Sequence, residues 1–492
     1  MKPYRIASFR GALLIAAALA LAATTHTRAA QFELPDFGSS ADTVMSSMEE
    51  RRLGRAFMQA VKKSLPVLDD PLLSDYLDSL GNRLVAASGG TSGNYRFFLI
   101  DQPVINAFAG PDGHIGVYSG LILTSENESE LAAVIAHEIA HVTQRHLMRA
   151  LEDQGRISPI ATALIIGAAL LGAQVDANMG AAAIAGLQAA ALQRQINFTR
   201  HNEEEADRIG IAALAEADFD PFAMPGFFER MAKAARTYEN SAPEFLRTHP
   251  VTSNRIADAL ARAEQYGYRQ RPDDIRFHLM RARLREHGTR NPEKAIKHFK
   301  ANLDAGRYRN RTAERYGYAL SLARGRQTAA ARRVTRDLLE EHPNQAEFII
   351  LDARLDARTG SHSDAIRKLQ SAVGLRPDNM PLRFAYAQIL MDAGKPARAL
   401  QTLEDLVRWR SGSAAVYELM SNAALKSGKR ASTHRYRAEK LYANGDIEPA
   451  IRQLELALKT PGLGFHDASK IQVRLDALKI EHKEAKEQKK KY

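Results

Sequence analysis

The chain has 492 residues, 45% hydrophobic and 25% charged, with no cysteine and a formal charge of +11. That length supports more than one folded unit, and the missing cysteines exclude a disulfide framework, thiolate metal ligands and a lipid-modified cysteine anchor. The basic surplus is uneven. Residues 31–280 carry 22 basic against 32 acidic side chains, and residues 281–492 carry 42 against 25. The shift predicts a boundary near 265–280. Halves of opposite sign can attract each other, or the basic half can meet an anionic partner or a membrane surface. Nucleic acid does not fit, because no aromatic and basic motif accompanies the charge and the chain opens like an exported protein.

Residues 1–30 read as a signal peptide. Lys2, Arg5 and Arg10 precede an apolar stretch, Gly11 to Ala23, that is too short to span a bilayer stably. Thr27-Arg28-Ala29 offers a small-x-small cleavage site, which predicts a mature start near Ala30 or Gln31. Farther on, Ile115, Val117 and Leu121 alternate with small or polar residues and predict a half-buried strand.

Ser125 to Glu130 supplies capping residues and acids suited to a helix N-terminus, and Leu131, Val134, Ile135, Ile139 and Val142 follow at helical spacing. On that helix lies His137-Glu138-Ile139-Ala140-His141. Residues four apart share a face, so both imidazoles can point at one metal ion, with Glu138 beside them as a base for water. Residues 159–192 are rich in alanine and glycine in two helix-length runs, neither long enough to span a membrane. They predict a helical hairpin packed on the catalytic domain or lying near a membrane surface, with Gly167, Gly172 and Gly180 suiting a lid.

Next, Glu203 and Asp207 again stand four apart, in Asn202-Glu203-Glu204-Glu205-Ala206-Asp207-Arg208-Ile209-Gly210. Three consecutive acids alone suggest a solvated face; beside a paired-histidine helix they suggest a metal site. Glu203 is the candidate third ligand, and Asp207 can accept the second ring N–H of a ligand histidine. His146 lies five residues past His141, off the ligand face, and is expected to be solvated. His114 carries no clear role.

Beyond residue 274 the chain repeats. Gly360, Gly394 and Gly428 are 34 apart, as are Pro343 and Pro377, and Ala365 and Ala399. Ala365, Leu369, Ala372 and Pro377 are nearly matched by Ala450, Leu454, Ala457 and Pro461. These are marks of tetratricopeptide-like helix pairs, which stack into a superhelix with a concave binding surface. Four to six pairs are expected over 274–482, followed by a basic tail at 483–492. The 17-residue step from Gly428 to Gly445 predicts one shortened unit or a shared helix.

Four segments, in order, resemble the HtpX and CAAX-prenyl-protease family of gluzincin metallopeptidases. They are Asn106 to Leu121, His137 to His141, Glu203 to Gly210, and Thr248-His249-Pro250 with Arg255. Asp112 and His114 depart from the glycine and the aromatic common there. The resemblance covers roughly residues 100–260. It implies one zinc ion held by His137, His141 and Glu203, with Glu138 as general base. His249 and Arg255 become candidates to stabilise the oxyanion; alternatively, His249 reaches the metal and holds the enzyme inactive. A strand edge within 104–122 would then take substrate as an added strand. The implied fold is mainly α with a small β-sheet: a metallopeptidase domain at 31–270 followed by an all-α repeat superhelix.

The whole layout is similar to periplasmic protease-chaperones of outer-membrane β-barrel assembly and quality control. It implies a zinc endopeptidase that cleaves misfolded or stalled envelope proteins, its repeats docking substrate or the barrel-assembly machinery. The alternative is a chaperone or scaffold whose proteolysis stays latent.

Overall fold

The computed structural model describes residues 47–89, 95–152, 200–237, 243–268, 271–408 and 412–491. The expected signal at 1–30 and the apolar stretch at 159–192 lie outside the described residues. Among the described residues no helix is long and apolar enough to cross a membrane.

Helix α1 (Ser47–Ser64) leads into a four-stranded sheet of β1 (Val67–Leu68), β2 (Arg96–Ile100), β3 (Ala107–Ala109) and β4 (His114–Tyr118), ordered β1-β2-β4-β3. Only β2 and β4 run parallel. The register pairs Phe97 with Ile115 and Leu99 with Val117, and these four pack with Ala107 against α2 (Pro71–Ala87) and the motif helix. Ile100, Phe108 and Tyr118 face the other way, onto Leu53, Phe57 and Val61 of α1. The sheet therefore has helices on both faces. That corrects the expected half-buried strand: β4 is buried at every position, because α1 covers the second face.

After α3 (Ser119–Thr124) comes the motif helix α4 (Glu128–Thr143), capped by Asn127, whose side chain accepts from the Glu130 amide. Every residue from Glu128 to His141 is buried. Arg145 then adopts a left-handed φ of 53°, and α5 (His146–Glu152) starts in a new direction. Helices α6 (Arg200–Glu216) and α7 (Ala223–Thr237) pack on α4, and after α8 (Glu244–Thr248) comes α9 (Ser253–Tyr266), which packs on α6 and α7.

The repeat array begins with the Asp274 cap of the helix Ile275–Gly288. It is paired with Pro292–Asp304, followed by Arg311–Arg324 with Thr328–Glu341 and Ala346–Arg358 with His362–Leu375. Met380–Asp392 with Pro396–Val407 and Ala414–Lys426 with Arg430–Ala443 continue it. Helices Ile447–Leu458 and Phe465–Lys491 close the array, and the basic tail extends the last one. Ala365, Leu369, Ala399 and Ala450 are fully buried where helices meet, as their spacing predicted. The turn glycines Gly360, Gly394 and Gly428 all take positive φ, a conformation that costs glycine nothing sterically. Gly445 does the same. Helix Arg430–Ala443 thus has such a turn at both ends, and the 17-residue step is a shared helix.

Arginines of the first repeat helix join the array to the N-terminal domain. Arg283 Nε lies 3.0 Å from Asp70 Oδ2, and Arg276 Nη2 lies 2.7 Å from Asp75. Arg281 donates to the carbonyls of Leu123, at 2.8 Å, and Ser125. Burial pushes the Asp70 carboxyl up, but Arg283 and the Leu73 amide hold it below its ordinary value. At the array's far end, Lys62 Nζ donates to the Ala443 carbonyl at 2.8 Å, and Arg55 Nε meets Glu481 at 2.6 Å. Both ends of the array therefore contact the same N-terminal domain.

Candidate metal centre

Helix α4 presents His137 and His141 one turn apart, and α6 crosses it with Glu203 and Asp207 on the facing side. The two helices approach closely at Gly210, where an added Cβ would stand 3.3 Å from the His137 backbone nitrogen. Glycine at the end of the acidic motif is thus what lets α6 reach the histidines.

His137 Nε2 and His141 Nε2 are 3.0 Å apart. Glu203 places Oε2 3.4 Å from His137 Nε2 and Oε1 3.4 Å from His141 Nε2. His249, at the end of α8, brings Nδ1 to 3.2 Å from both His137 Nε2 and Glu203 Oε1. One donor atom from each of these four buried residues lies within 4.8 Å of the others. Ligands at 2.0–2.1 Å around a tetrahedral ion are separated by about 3.3 Å, so the set fits zinc.

The supporting contacts are as ordered as the donors. His137 Nδ1 stands 2.9 Å from Asp207 Oδ1, somewhat off the straight N–H direction. Arg255, almost fully buried, donates from Nε and Nη2 to the two Asp207 oxygens, each at 2.8 Å. Its Nη1 lies 2.8 Å from both Glu203 Oε2 and the Pro250 carbonyl. The sequence offered Arg255 for an oxyanion; its nitrogens instead hold the two carboxylates of α6. Burial disfavours a charged His137, but Asp207 and Glu203 outweigh it and raise its pKa to about 10. Burial likewise opposes the Glu203 charge, yet His249, His137 and His141 hold that carboxyl well below its usual range.

Glu138 is completely buried, and among the described residues neither carboxylate oxygen has a hydrogen bond of good geometry. Burial raises its pKa, with His249 and His137 offsetting part of the rise. Its nearest basic neighbour is His249 Nε2, 3.3 Å from Oε1. The His249 ring therefore spans the space between the metal donors and Glu138. Phe245 stacks on it with centroids 5.1 Å apart, and the Phe245 amide donates to the Ile105 carbonyl at 3.1 Å. Beside His141, a crevice lined by Ala109, Gly110, Pro111 and Met148 has a volume of about 20 Å³. That is room for a water molecule.

Comparison with known proteins fits this geometry. The pattern of Peptidase family M48 matches residues 71–263, and a tetratricopeptide repeat pattern matches residues 357–423. Over 482 residues the chain is 33% identical to the beta-barrel assembly-enhancing protease of Yersinia pestis, covering 96% of this chain and 97% of that one. The chain belongs to peptidase family M48. The protein of the same name from Escherichia coli (strain K12) is 34% identical over 446 residues, 91% of each chain. A mitochondrial metalloendopeptidase of Schizosaccharomyces pombe is 33% identical over 181 residues, 37% of this chain and 50% of that one. Among solved structures, a tetratricopeptide repeat protein from Parabacteroides merdae is 14% identical, covering 50% of this chain and 98% of its own at a TM-score of 0.27. This M48 peptidase is thus a metalloendopeptidase with zinc as its cofactor, carrying tetratricopeptide repeats.

One expectation is overturned. His146 is not solvated but fully buried, with Nδ1 2.7 Å from His141 Nδ1. Helical spacing would have carried it away from the site; the left-handed Arg145 turns it back. Its Nε2 meets Glu205 Oε2 at 3.1 Å. The three consecutive acids hence separate: Glu203 enters the centre, Glu204 pairs with exposed Arg200, and Glu205 holds His146. Nothing local in the sequence marks the turn at Arg145, since arginine has no preference for that conformation. His114 is buried against α1, with Nδ1 2.8 Å from the Pro111 carbonyl, and stands apart from the centre.

Proposed function

We propose that this M48 peptidase works in the bacterial periplasm on outer-membrane β-barrel proteins that stall or misfold during assembly. Residues 1–30 are its cleavable export signal, 31–270 its peptidase domain and 274–482 its docking array. The names of its full-length relatives support the substrate class, and the repeats support a protein partner, with the β-barrel assembly machinery as the candidate. His137, His141 and Glu203 hold zinc, Asp207 and Arg255 fix the orientation of two of those ligands, and Glu138 is the base. A bound zinc supplies Lewis acidity at the scissile carbonyl and lowers the pKa of water to about 7. Glu138 takes the proton from the attacking water and returns it to the leaving amine. Substrate adds to the open edge of β3, where main-chain hydrogen bonds accept many sequences.

His249 acts as a gate rather than an oxyanion donor in the resting enzyme. The observation that carries this is its ring between the metal donors and Glu138, 3.2 Å from Glu203 and 3.3 Å from Glu138. A second function, holding unfolded barrel proteins without cleaving them, is favoured by the same contact.

The test uses mature protein loaded with zinc and an unfolded outer-membrane barrel protein, beside Glu138→Gln with matched metal content. Cleavage by the wild type or by His249→Ala, lost on adding Glu138→Gln, is expected. Loss of cleavage by roughly 100-fold or more is the scale of a missing general base. Equal cleavage with and without Glu138 would sink the assignment.

A further inference from the structure

The two histidines proposed as zinc ligands are oriented by different devices. His137 turns its second nitrogen to a carboxylate, Asp207, which Arg255 grips. His141 turns its second nitrogen to another imidazole. His141 Nδ1 and His146 Nδ1 are 2.7 Å apart, and His146 Nε2 is 3.1 Å from Glu205 Oε2. Arg149 Nη1 in turn lies 3.4 Å from the same Glu205 oxygen.

We propose that His146 and Glu205 form a relay that fixes the His141 tautomer, making both positioning residues for the metal. With both rings neutral, the hydrogen bookkeeping among these three side chains admits one arrangement. Glu205 is an acceptor, so His146 donates from Nε2–H and keeps a lone pair at Nδ1. That lone pair accepts the Nδ1–H of His141, which leaves the lone pair of His141 on Nε2. The Nε2 atom is the one facing His137 and Glu203. If His146 were replaced by an apolar side chain, the buried Nδ1–H of His141 would lose its acceptor. The ring would then gain nothing from carrying its proton there, and the tautomer that presents N–H to the metal would compete.

The inference rests on the proposed ligand set, and the experiment separates the two. Zinc affinity of the metal-depleted mature protein is measured by competition with a chelator. His146→Leu and Glu205→Leu are expected to weaken binding by about 10- to 100-fold, the usual effect of removing a ligand's orienting partner. His146→Gln, whose amide oxygen can accept from His141, should recover affinity to within about threefold of wild type. Nitrogen chemical shifts of labelled histidine should show His141 protonated at Nδ1 in the wild type and in His146→Gln, and a mixed tautomer in His146→Leu. Thermal unfolding of the metal-depleted variants identifies any that have lost the fold. Wild-type affinity in a folded His146→Leu would overturn the relay, as would failure of a folded His146→Gln to exceed His146→Leu. Undiminished zinc binding in His141→Ala would instead overturn the ligand set beneath it.

Discussion

His249 Nε2 stands 3.3 Å from Glu138 Oε1, while the other nitrogen of the same ring faces Glu203 at 3.2 Å. One imidazole thereby lies between the proposed zinc ligands and the proposed base, where the attacking water would sit. A tetrahedral ion with three protein ligands keeps one position for chemistry; with His249 it has four. Replacing His249 by alanine is expected to raise cleavage of an unfolded protein by roughly tenfold, since a resting state that hides most molecules is removed. Metal content should stay near one zinc per chain, because the three proposed ligands, His137, His141 and Glu203, remain. Unchanged or lower turnover in a zinc-loaded variant would refute the gate.

Gly210 controls the distance between the two metal helices. A Cβ there meets the mobile end of Met224 at 2.8 Å and the His137 backbone nitrogen at 3.3 Å. Gly210→Ala should be tolerated by a shift of Met224. Gly210→Val should cost about 1–3 kcal/mol by overpacking and weaken zinc binding as α6 is pushed off α4. Denaturant unfolding and metal titration of both variants check this, and equal behaviour of the two would refute it.

His114 supplies a pH dependence distant from the centre. Burial lowers its pKa to about 4, with Arg96, Lys62 and Arg55 adding to the effect and the Pro111 carbonyl opposing it. The unfolded value is about 6.5, so between these limits the unfolded chain binds the extra proton. Stability from the neutral ring is present above pH 6.5 and is lost as pH falls toward 4, by about 3 kcal/mol in total. His114→Asn keeps a donor for Pro111 but cannot titrate. Its melting temperature, measured without metal, should fall less than that of wild type over this window; parallel curves would refute the assignment.

Arg326 occupies, one repeat before Gly360, the turn position that glycine holds in the next three pairs. Its φ is 60°, against 86°, 69° and 73° at Gly360, Gly394 and Gly428. A side chain in that region costs about 1–2 kcal/mol, part of which glycine returns through its greater unfolded freedom. Arg326→Gly should therefore stabilise the protein by about 0.5–1 kcal/mol in chemical denaturation. A loss of stability would show that the Arg326 side chain contributes more than its backbone costs.

Much of this architecture was legible because it depends on short-range periodicity. Residues four apart on a helix must share a face, which gives His137 with His141 and Glu203 with Asp207. A 34-residue recurrence of glycine and alanine marks stacked helix pairs, and its break between Gly428 and Gly445 left a shortened unit and a shared helix both open. Burial of β4 on both faces was not legible, because α1 comes from some fifty residues earlier and its covering role leaves no mark in the strand itself. The roles of Arg255 and His146 were illegible for a related reason. Whether a guanidinium meets carboxylates or faces a cleft, and whether a histidine is solvated, depends on which distant group arrives beside it.

The sequence by itself determined the metal chemistry, the export expectation, the charge asymmetry and the repeat class, all properties of composition and local spacing. The tertiary structure decided where those properties act. It joined both ends of the repeat array to the N-terminal domain through ion pairs and hydrogen bonds, placed His249 between the metal donors and Glu138, and bent the chain at Arg145 so that His146 meets His141. The physical reason is the same in each case. Hydrogen bonds and ion pairs act over a few ångströms, and the partners within that reach are chosen by packing among segments far apart in the chain.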